Sequence, residues 1–286
     1  MERKRETEQR LLKLQENYPS ARLIMGPSDL NCYDFPDGCF NKICIQVSEM
    51  IDEYNASHPY EMLPKSPETI ADQILKKRSV MIICGENENF QVMCHGTIYP
   101  SFEEEEAKIL GMQVVEIGTL IVHPDYRRRG MGSLGNLLLL ELSERYSNCV
   151  ALATIKQRAT ALAFKNAGAN PASFWKYPYL SYLTCTCSHC SEREGHRRCE
   201  HRRPPPESTK IKLNEILDKS FPADKIPCTL IIADIARAQK FEETCRNLHQ
   251  KWLKVSFQSI TPNNINSAFR EINFFFEHLA NGAAND

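Results

Sequence analysis

The chain lacks any long hydrophobic run. Its strongest apolar segments, Leu137–Leu140 and Thr229–Ile232, fall far short of the ~18 residues a membrane helix requires. No membrane partner is expected. It also lacks an excess of charge of either sign. Lys plus Arg number 35 and Asp plus Glu 36, a formal net charge of −1. Such a balance gives no global field for nucleic acid or a lipid surface, so any contact of that kind needs a local patch. The start, Met-Glu-Arg-Lys-Arg-Glu, lacks the apolar stretch of a secretory leader, which points to a soluble, cytoplasmic protein. Cysteine is present but sparse. Twelve residues are about 4% of the chain, below the ~8–10% of small disulfide scaffolds, so thiols are expected. Internal repeats and low-complexity tracts are absent. What remains is 286 residues, 42% hydrophobic and 25% charged, enough for one enlarged domain or a domain with an appendage.

Periodicity places the elements. Residues 1–17 read as a charged helix and Arg22–Met25 as a short strand ended by Gly26-Pro27. Phe40, Ile43, Ile45, Val47, Met50 and Ile51 repeat apolar positions with a helical period through residues 38–54. Ser66-Pro67 opens a second helix, running to Leu75, with a cap and a first-turn proline. Ser79–Cys84 and Phe90–Tyr99 form a hairpin pattern. The acidic run Glu103–Glu106 reads as a solvated loop. Val114–Val122 is a strand, Arg127–Gly132 a glycine turn, and a long helix follows from Ser133 to about Tyr146. Cys149–Ile155 is a strand, and Ala159–Asn166 a helix that Gly168 closes. Tyr177–Cys185 reads as an aromatic strand. Beyond the stiff Pro204-Pro205-Pro206 come a helix near Lys212–Lys219, a strand at Thr229–Ala233 and helices near 236–253 and 264–279.

The chemistry concentrates in Glu116-Ile-Gly-Thr-Leu-Ile-Val-His-Pro-Asp-Tyr-Arg-Arg-Arg-Gly-Met-Gly-Ser133. A strand delivers the chain to Gly130 and Gly132, and a helix starts at once. Glycines let backbone N–H groups converge, and the helix N-terminus adds partial positive charge, which suits a pyrophosphate. Arg127, Arg128 and Arg129 can add phosphate contacts. The turn is neither a dinucleotide fingerprint nor a P-loop, because the third glycine and the Gly-Lys-Ser/Thr are missing. Arg127-x-x-Gly130-x-Gly132, after a strand reading Glu-Ile-x-x-Leu-x-Val-x-Pro, resembles the acyl-CoA motif of the GNAT N-acetyltransferase superfamily. The element order over roughly residues 20–184 agrees with it.

The resemblance implies an α/β (α+β) GNAT fold, a mixed central sheet flanked by helices, with a small C-terminal α/β extension. It implies acetyl-CoA as co-substrate and an amine as acceptor, a protein lysine or terminal amine ahead of a small molecule. Backbone groups of Leu120, Ile121 and Val122 would meet the pantetheine and thioester. The turn from Arg127 through Arg128, Arg129, Gly130, Met131 and Gly132 to Ser133 would hold the pyrophosphate. Glu116 stands where histone-type relatives carry the general base, and the Val122 N–H would hold the carbonyl oxygen. The family's usual acid, a tyrosine four residues before the closing glycine, is replaced by Phe164. Tyr177, Tyr179 and Tyr182 are the substitutes on offer, and each also fits a core aromatic. His123 reads as structural, and Gln157 stands where relatives often have Asn. The rival reading, which Phe164 favours, is a degenerate domain that binds acyl-CoA, protein or nucleic acid without transfer.

Four cysteines crowd into Cys185-x-Cys187-x-x-Cys190 and Cys199-x-His201. Zinc takes four soft ligands tetrahedrally, so Cys187, Cys190, Cys199 and His201 are the expected structural set, with Cys185 the competitor and His189 and His196 in reserve. The arginines of Arg193–Arg203 offer the one local patch for nucleic acid. They lack the interleaved aromatics of single-strand binders, and a solvated loop face accounts for them. The expected organisation is a helix (1–19), the GNAT domain (20–184), a Cys/His segment with its proline linker (185–206) and an extension (207–286). Alternatively Thr229–Ala233 completes the main sheet. Oligomeric state is not legible.

Overall fold

The computed structural model describes residues 2–32, 38–58, 62, 64–86, 89–172, 176–185, 225–253 and 265–283. The chain divides into two compact units. One holds Met1–Tyr99, Ile117–Arg145 and Asn166–Gly168, and the other holds Pro100–Glu116, Tyr146–Lys165 and Ala169–Asp286.

In the first unit, α1 (Glu2–Asn17) precedes β1 (Ala21–Ile24) and the short α2 (Pro27–Cys32). Then come α3 (Cys39–Ser57), α4 (Pro67–Leu75), and the hairpin of β2 (Ser79–Glu86) and β3 (Asn89–Pro100). Helix α5 (Glu104–Leu110) belongs to the second unit, strand β4 (Val114–Val122) begins there and ends in the first, and α6 (Met131–Ser143) follows in the first. The strand order here is β1-β2-β3-β4, and β1, β2 and β3 pair antiparallel. The apolar stripe of α3 forms the core: Ile43, Val47 and Ile51 pack with Ile70 and Ile74 of α4 and with Met81, Ile83 and Ile121 of the strands. Burying that stripe is what holds the helices to the sheet. The predicted cap of α4 is present, with Ser66 Oγ accepting from the Thr69 N–H at 3.3 Å and Pro67 in the first turn. Helix α6 starts two residues before the predicted Ser133 and is buried on nearly all sides.

In the second unit, β5 (Val150–Gln157), α7 (Arg158–Asn166), β6 (Asn170–Ala172) and α8 (Pro178–Cys185) follow. After them come β7 (Lys225–Ile232), α9 (Ile235–Leu253) and α10 (Ile265–Ala283). The order is β4-β5-β7-β6, with β4 and β5 parallel and β7 antiparallel to both its neighbours. The strand of the C-terminal segment thus lies inside the sheet. Phe241, Phe269, Ile272 and Phe275 of α9 and α10 close a core with Tyr179, Leu180, Leu230 and Ile232. The architecture is the expected mixed sheet with flanking helices.

Two sequence expectations are corrected. Glu103–Glu106 is not a loop but the start of α5. The Glu106 carboxylate accepts from the Glu103 N–H at 2.8 Å, the acidic first turn faces the positive helix end, and Gly111 closes the helix at φ 66°. Tyr177–Cys185 is not a strand but α8. Its first-turn N–H groups, Tyr179 and Leu180, donate to the Glu242 carboxylate of α9 at 3.3 and 2.9 Å. Burial raises that carboxyl to about 8, while the two amides oppose the rise. The helix expected near Lys212–Lys219 lies outside the described residues.

Candidate functional site

Strand β4 lies between β3 and β5. Val114–Glu116 register with Val150–Leu152 of β5, and the parallel register ends at Glu116. Three residues on, Thr119 takes φ 52°, a left-handed conformation that a β-branched residue adopts only under constraint. Gly118 makes the bend possible in another way. A Cβ there would come within 3.0 Å of Tyr99 Cε2, so glycine admits the tyrosine ring against the strand. Past the bend, the His123 N–H donates to Met93 O of β3 at 3.0 Å. Adjacent strand residues alternate sides, so the Val122 N–H points away from β3. The Val122 carbonyl accepts from Arg127 Nε at 3.1 Å.

The chain then makes a 3₁₀ turn, Pro124–Tyr126, whose first N–H groups the His123 side chain caps through Asp125. His123 thus caps this turn. Arg128 at φ 62° and Gly130 at φ 82° turn the backbone into α6. Leu134 donates the first helical bond, to Gly130 O at 3.0 Å. The N–H groups of Met131, Gly132 and Ser133 therefore have no intrahelical acceptor, and they converge at the positive end of the helix. Among the described residues a Cβ on Gly132 would meet only Val122 Cγ2, at 3.9 Å. The three arginines differ in what holds them. Arg127 folds back onto the strand, Arg129 Nη1 donates to Tyr18 Oη at 2.6 Å, and Arg128 has no side-chain partner among the described residues. A small cavity of about 60 Å³ lies beside this turn, between Glu53, Tyr54 and Ser57 of α3 and Ile121, Val122 and Arg127.

Two glycines missed by sequence reasoning set the helix against the strands. A Cβ on Gly96 would come within 2.5 Å of Leu139, and one on Gly135 within 2.7 Å of Leu120 and 3.0 Å of Cys94. Only glycine lets α6 approach that closely. Their signal was a glycine inside a strand pattern and another inside a helix pattern.

Glu116 is half-buried on β4, at the last registered residue. Phe164 is buried and offers only its carbonyl, which accepts from the Ala169 N–H. Of the three alternative acids, the Tyr179 hydroxyl meets His249 Nδ1 at 3.0 Å, and burial pushes it above the ordinary phenol range. Tyr182 donates to Asn273 Oδ1. Tyr177 is buried in the same core, so all three read as core aromatics. Gln157 ends β5. The zinc candidates Cys187, Cys190, Cys199 and His201 lie outside the described residues, as does Arg193–Arg203. Among the described residues no group of three or more His, Cys, Asp or Glu is placed to hold a metal, and no helix is long and apolar enough to cross a membrane.

Residues 47–167, somewhat under half of the chain, match the model of the acetyltransferase (GNAT) family. No curated protein matches the chain. Among solved structures, a GCN5-related N-acetyltransferase from Kribbella flavida is similar at 15% identity and a TM-score of 0.32. The match covers 53% of this chain and 33% of that one, so the chain spans about a third of that relative's length. A putative arylalkylamine N-acetyltransferase 7 from the yellow fever mosquito is similar at 10% identity and a TM-score of 0.32, over 53% of this chain and 78% of the other.

Proposed function

We propose that this protein transfers the acetyl group of acetyl-CoA to a primary amine, a protein lysine or terminal amine being the favoured acceptor. The carrying observation is the junction of β4 and α6, where three unspent N–H groups at the Gly130–Ser133 helix start face outward beside an open Gly132. Pyrophosphate oxygens fit that chemistry, with Arg128 the arginine left to add charge. Thioester and pantetheine would run along Leu120, Ile121 and Val122. The Val122 N–H, turned away from β3, would meet the oxygen that becomes negative as the amine attacks. Glu116 would take the amine proton, directly or through one water. The amine then forms its bond to the acetyl carbon, the C–S bond breaks, and CoA leaves as thiolate. The test is thiol release from acetyl-CoA with a panel of amines and peptides. Release with an amine acceptor is the expected result. CoA binding without release from any acceptor would leave the degenerate reading that the buried Phe164 favours.

Zinc in the Cys187–His201 segment rests on ligand spacing alone and is proposed as structural. Protein prepared without chelator should carry about one zinc by elemental analysis, since thiolate sites hold the metal through purification. Cys187→Ser with Cys190→Ser should release it and leave CoA affinity largely intact. A metal-free wild-type preparation would remove the site.

A further inference from the structure

Phe164 leaves the departing thiolate without a proton source, and a second set of polar groups sits at the bend of β4. Lys65 Nζ donates to Tyr99 Oη and lies 4.6 Å from the centre of the same ring. Tyr99 Oη in turn is 3.2 Å from Thr119 Oγ1. The first member fixes one direction of this chain. An ammonium has only donors, so the phenol oxygen must accept from it. The phenol proton is then available to Thr119 Oγ1, although either hydroxyl of that pair has the geometry to donate. That leaves the Thr119 proton free to be given on, and among the described residues no group takes it.

The placement is held from several sides. Ser48 Oγ of α3 donates to the Lys65 carbonyl at 2.7 Å. Gly118 makes room for the Tyr99 ring, and Thr119 is the strained residue at φ 52°, one position before Leu120. Of the titratable groups around Lys65, His95 and Tyr99 face it from β3, and none of the ion pairs among the described residues uses it. His95 is fully buried with both ring nitrogens unpartnered. Burial, and then the Lys65 charge, push it down to about 3, so it stays neutral and does not draw the proton away.

We propose that Lys65, Tyr99 and Thr119 form a one-way donor chain that returns a proton to the CoA thiolate; the inference rests on the acetyl-transfer reading above. As the C–S bond breaks, the sulfur takes the Thr119 hydroxyl proton, Thr119 takes that of Tyr99, and Tyr99 takes one from Lys65. Thiolate and ammonium become thiol and amine, both hydroxyls are restored, and the half-exposed Lys65 regains its proton from solvent. Thr119 is the group that would touch the reacting sulfur. Tyr99 and Lys65 act through it.

The experiment is steady-state thiol release against pH for the full chain and for Tyr99→Phe, Thr119→Val and Thr119→Ser, with CoA affinity by calorimetry. Tyr99→Phe keeps the ring that packs on Gly118, and Thr119→Val keeps the shape of the strained residue. Both should lower kcat at neutral pH at least about tenfold, general acids being worth ~10²–10⁴-fold, while CoA affinity stays within about twofold. Thr119→Ser, which keeps the hydroxyl, should retain most activity. Unchanged kcat in Tyr99→Phe and Thr119→Val, or a Thr119→Ser as slow as Thr119→Val, overturns the chain alone. No release by the wild type overturns acetyl transfer and this route with it.

Discussion

Gly132→Glu should reduce CoA affinity by at least about 100-fold in a protein that still melts cooperatively. The two halves of that expectation come from different observations. A Cβ at Gly132 would meet nothing closer than Val122 Cγ2 at 3.9 Å, an ordinary contact, so no packing is lost. A side chain also replaces the extra backbone freedom of glycine in the unfolded chain, and a carboxylate in the first turn of α6 suits the helix dipole by roughly 0.3–1 kcal/mol. Stability should therefore hold or rise slightly. The same carboxylate sits where an anion must approach the N–H groups of residues 131–133, satisfying them itself and repelling phosphate. A 100-fold loss corresponds to about 2.7 kcal/mol, modest for a displaced charge-assisted contact set. Calorimetric titration of CoA checks it, alongside a thermal melt. Unchanged affinity would move the phosphate site elsewhere, whereas a collapsed melt would mean that the turn is structural in a way the open space at Gly132 does not suggest.

The turn was legible in the sequence because its chemistry is local. Strand, arginines, two glycines and helix start lie within eighteen consecutive residues. Helix α4 was legible for the same reason, its cap and first-turn proline being adjacent. What was missed depends on distant partners. Tyr177–Cys185 has the aromatic composition of a strand, a preference that mainly reflects packing against neighbours. It forms α8 because Glu242, more than sixty residues on, accepts its first N–H groups. The acidic run at 103–106 looked like a solvated loop because like charges repel. At a helix start the same charges are favourable, and Lys108 pairs with Glu104 and Glu105 at 3.3 and 2.9 Å. The contacts joining Lys65, Tyr99 and Thr119 had no sequence signal at all. They span three separate segments, and only the bend at Thr119 brings the last hydroxyl to the second. Gly118, read as part of a motif, turned out to matter as the space that Tyr99 fills.

Glu116→Gln should lower turnover at pH 7 by about 100-fold or more, the lower range for loss of a general base, with little change in acetyl-CoA affinity. Glutamine keeps the shape and an acceptor oxygen, so the half-buried strand position is preserved and the proton-taking capacity alone is lost. The deficit should depend on pH in a way that identifies its origin. A lysine side chain, with an ordinary value near 10.4, is neutral in only about one molecule in 2,500 at pH 7. Without a base, the rate should follow that neutral fraction and climb roughly tenfold per pH unit. With the base in place the climb is shallower, so mutant and wild type converge as pH rises. The pH at which the mutant levels off then reports the acceptor. A terminal amine, ordinarily near 7.7–8.0, would level off by about pH 8, whereas a lysine would keep rising towards pH 10. Parallel pH–rate profiles of the two proteins on one peptide make the measurement. If Glu116→Gln retained full activity across the range, the base would have to be another group, and the correspondence of Glu116 with the histone-type position would carry no catalytic meaning in this chain.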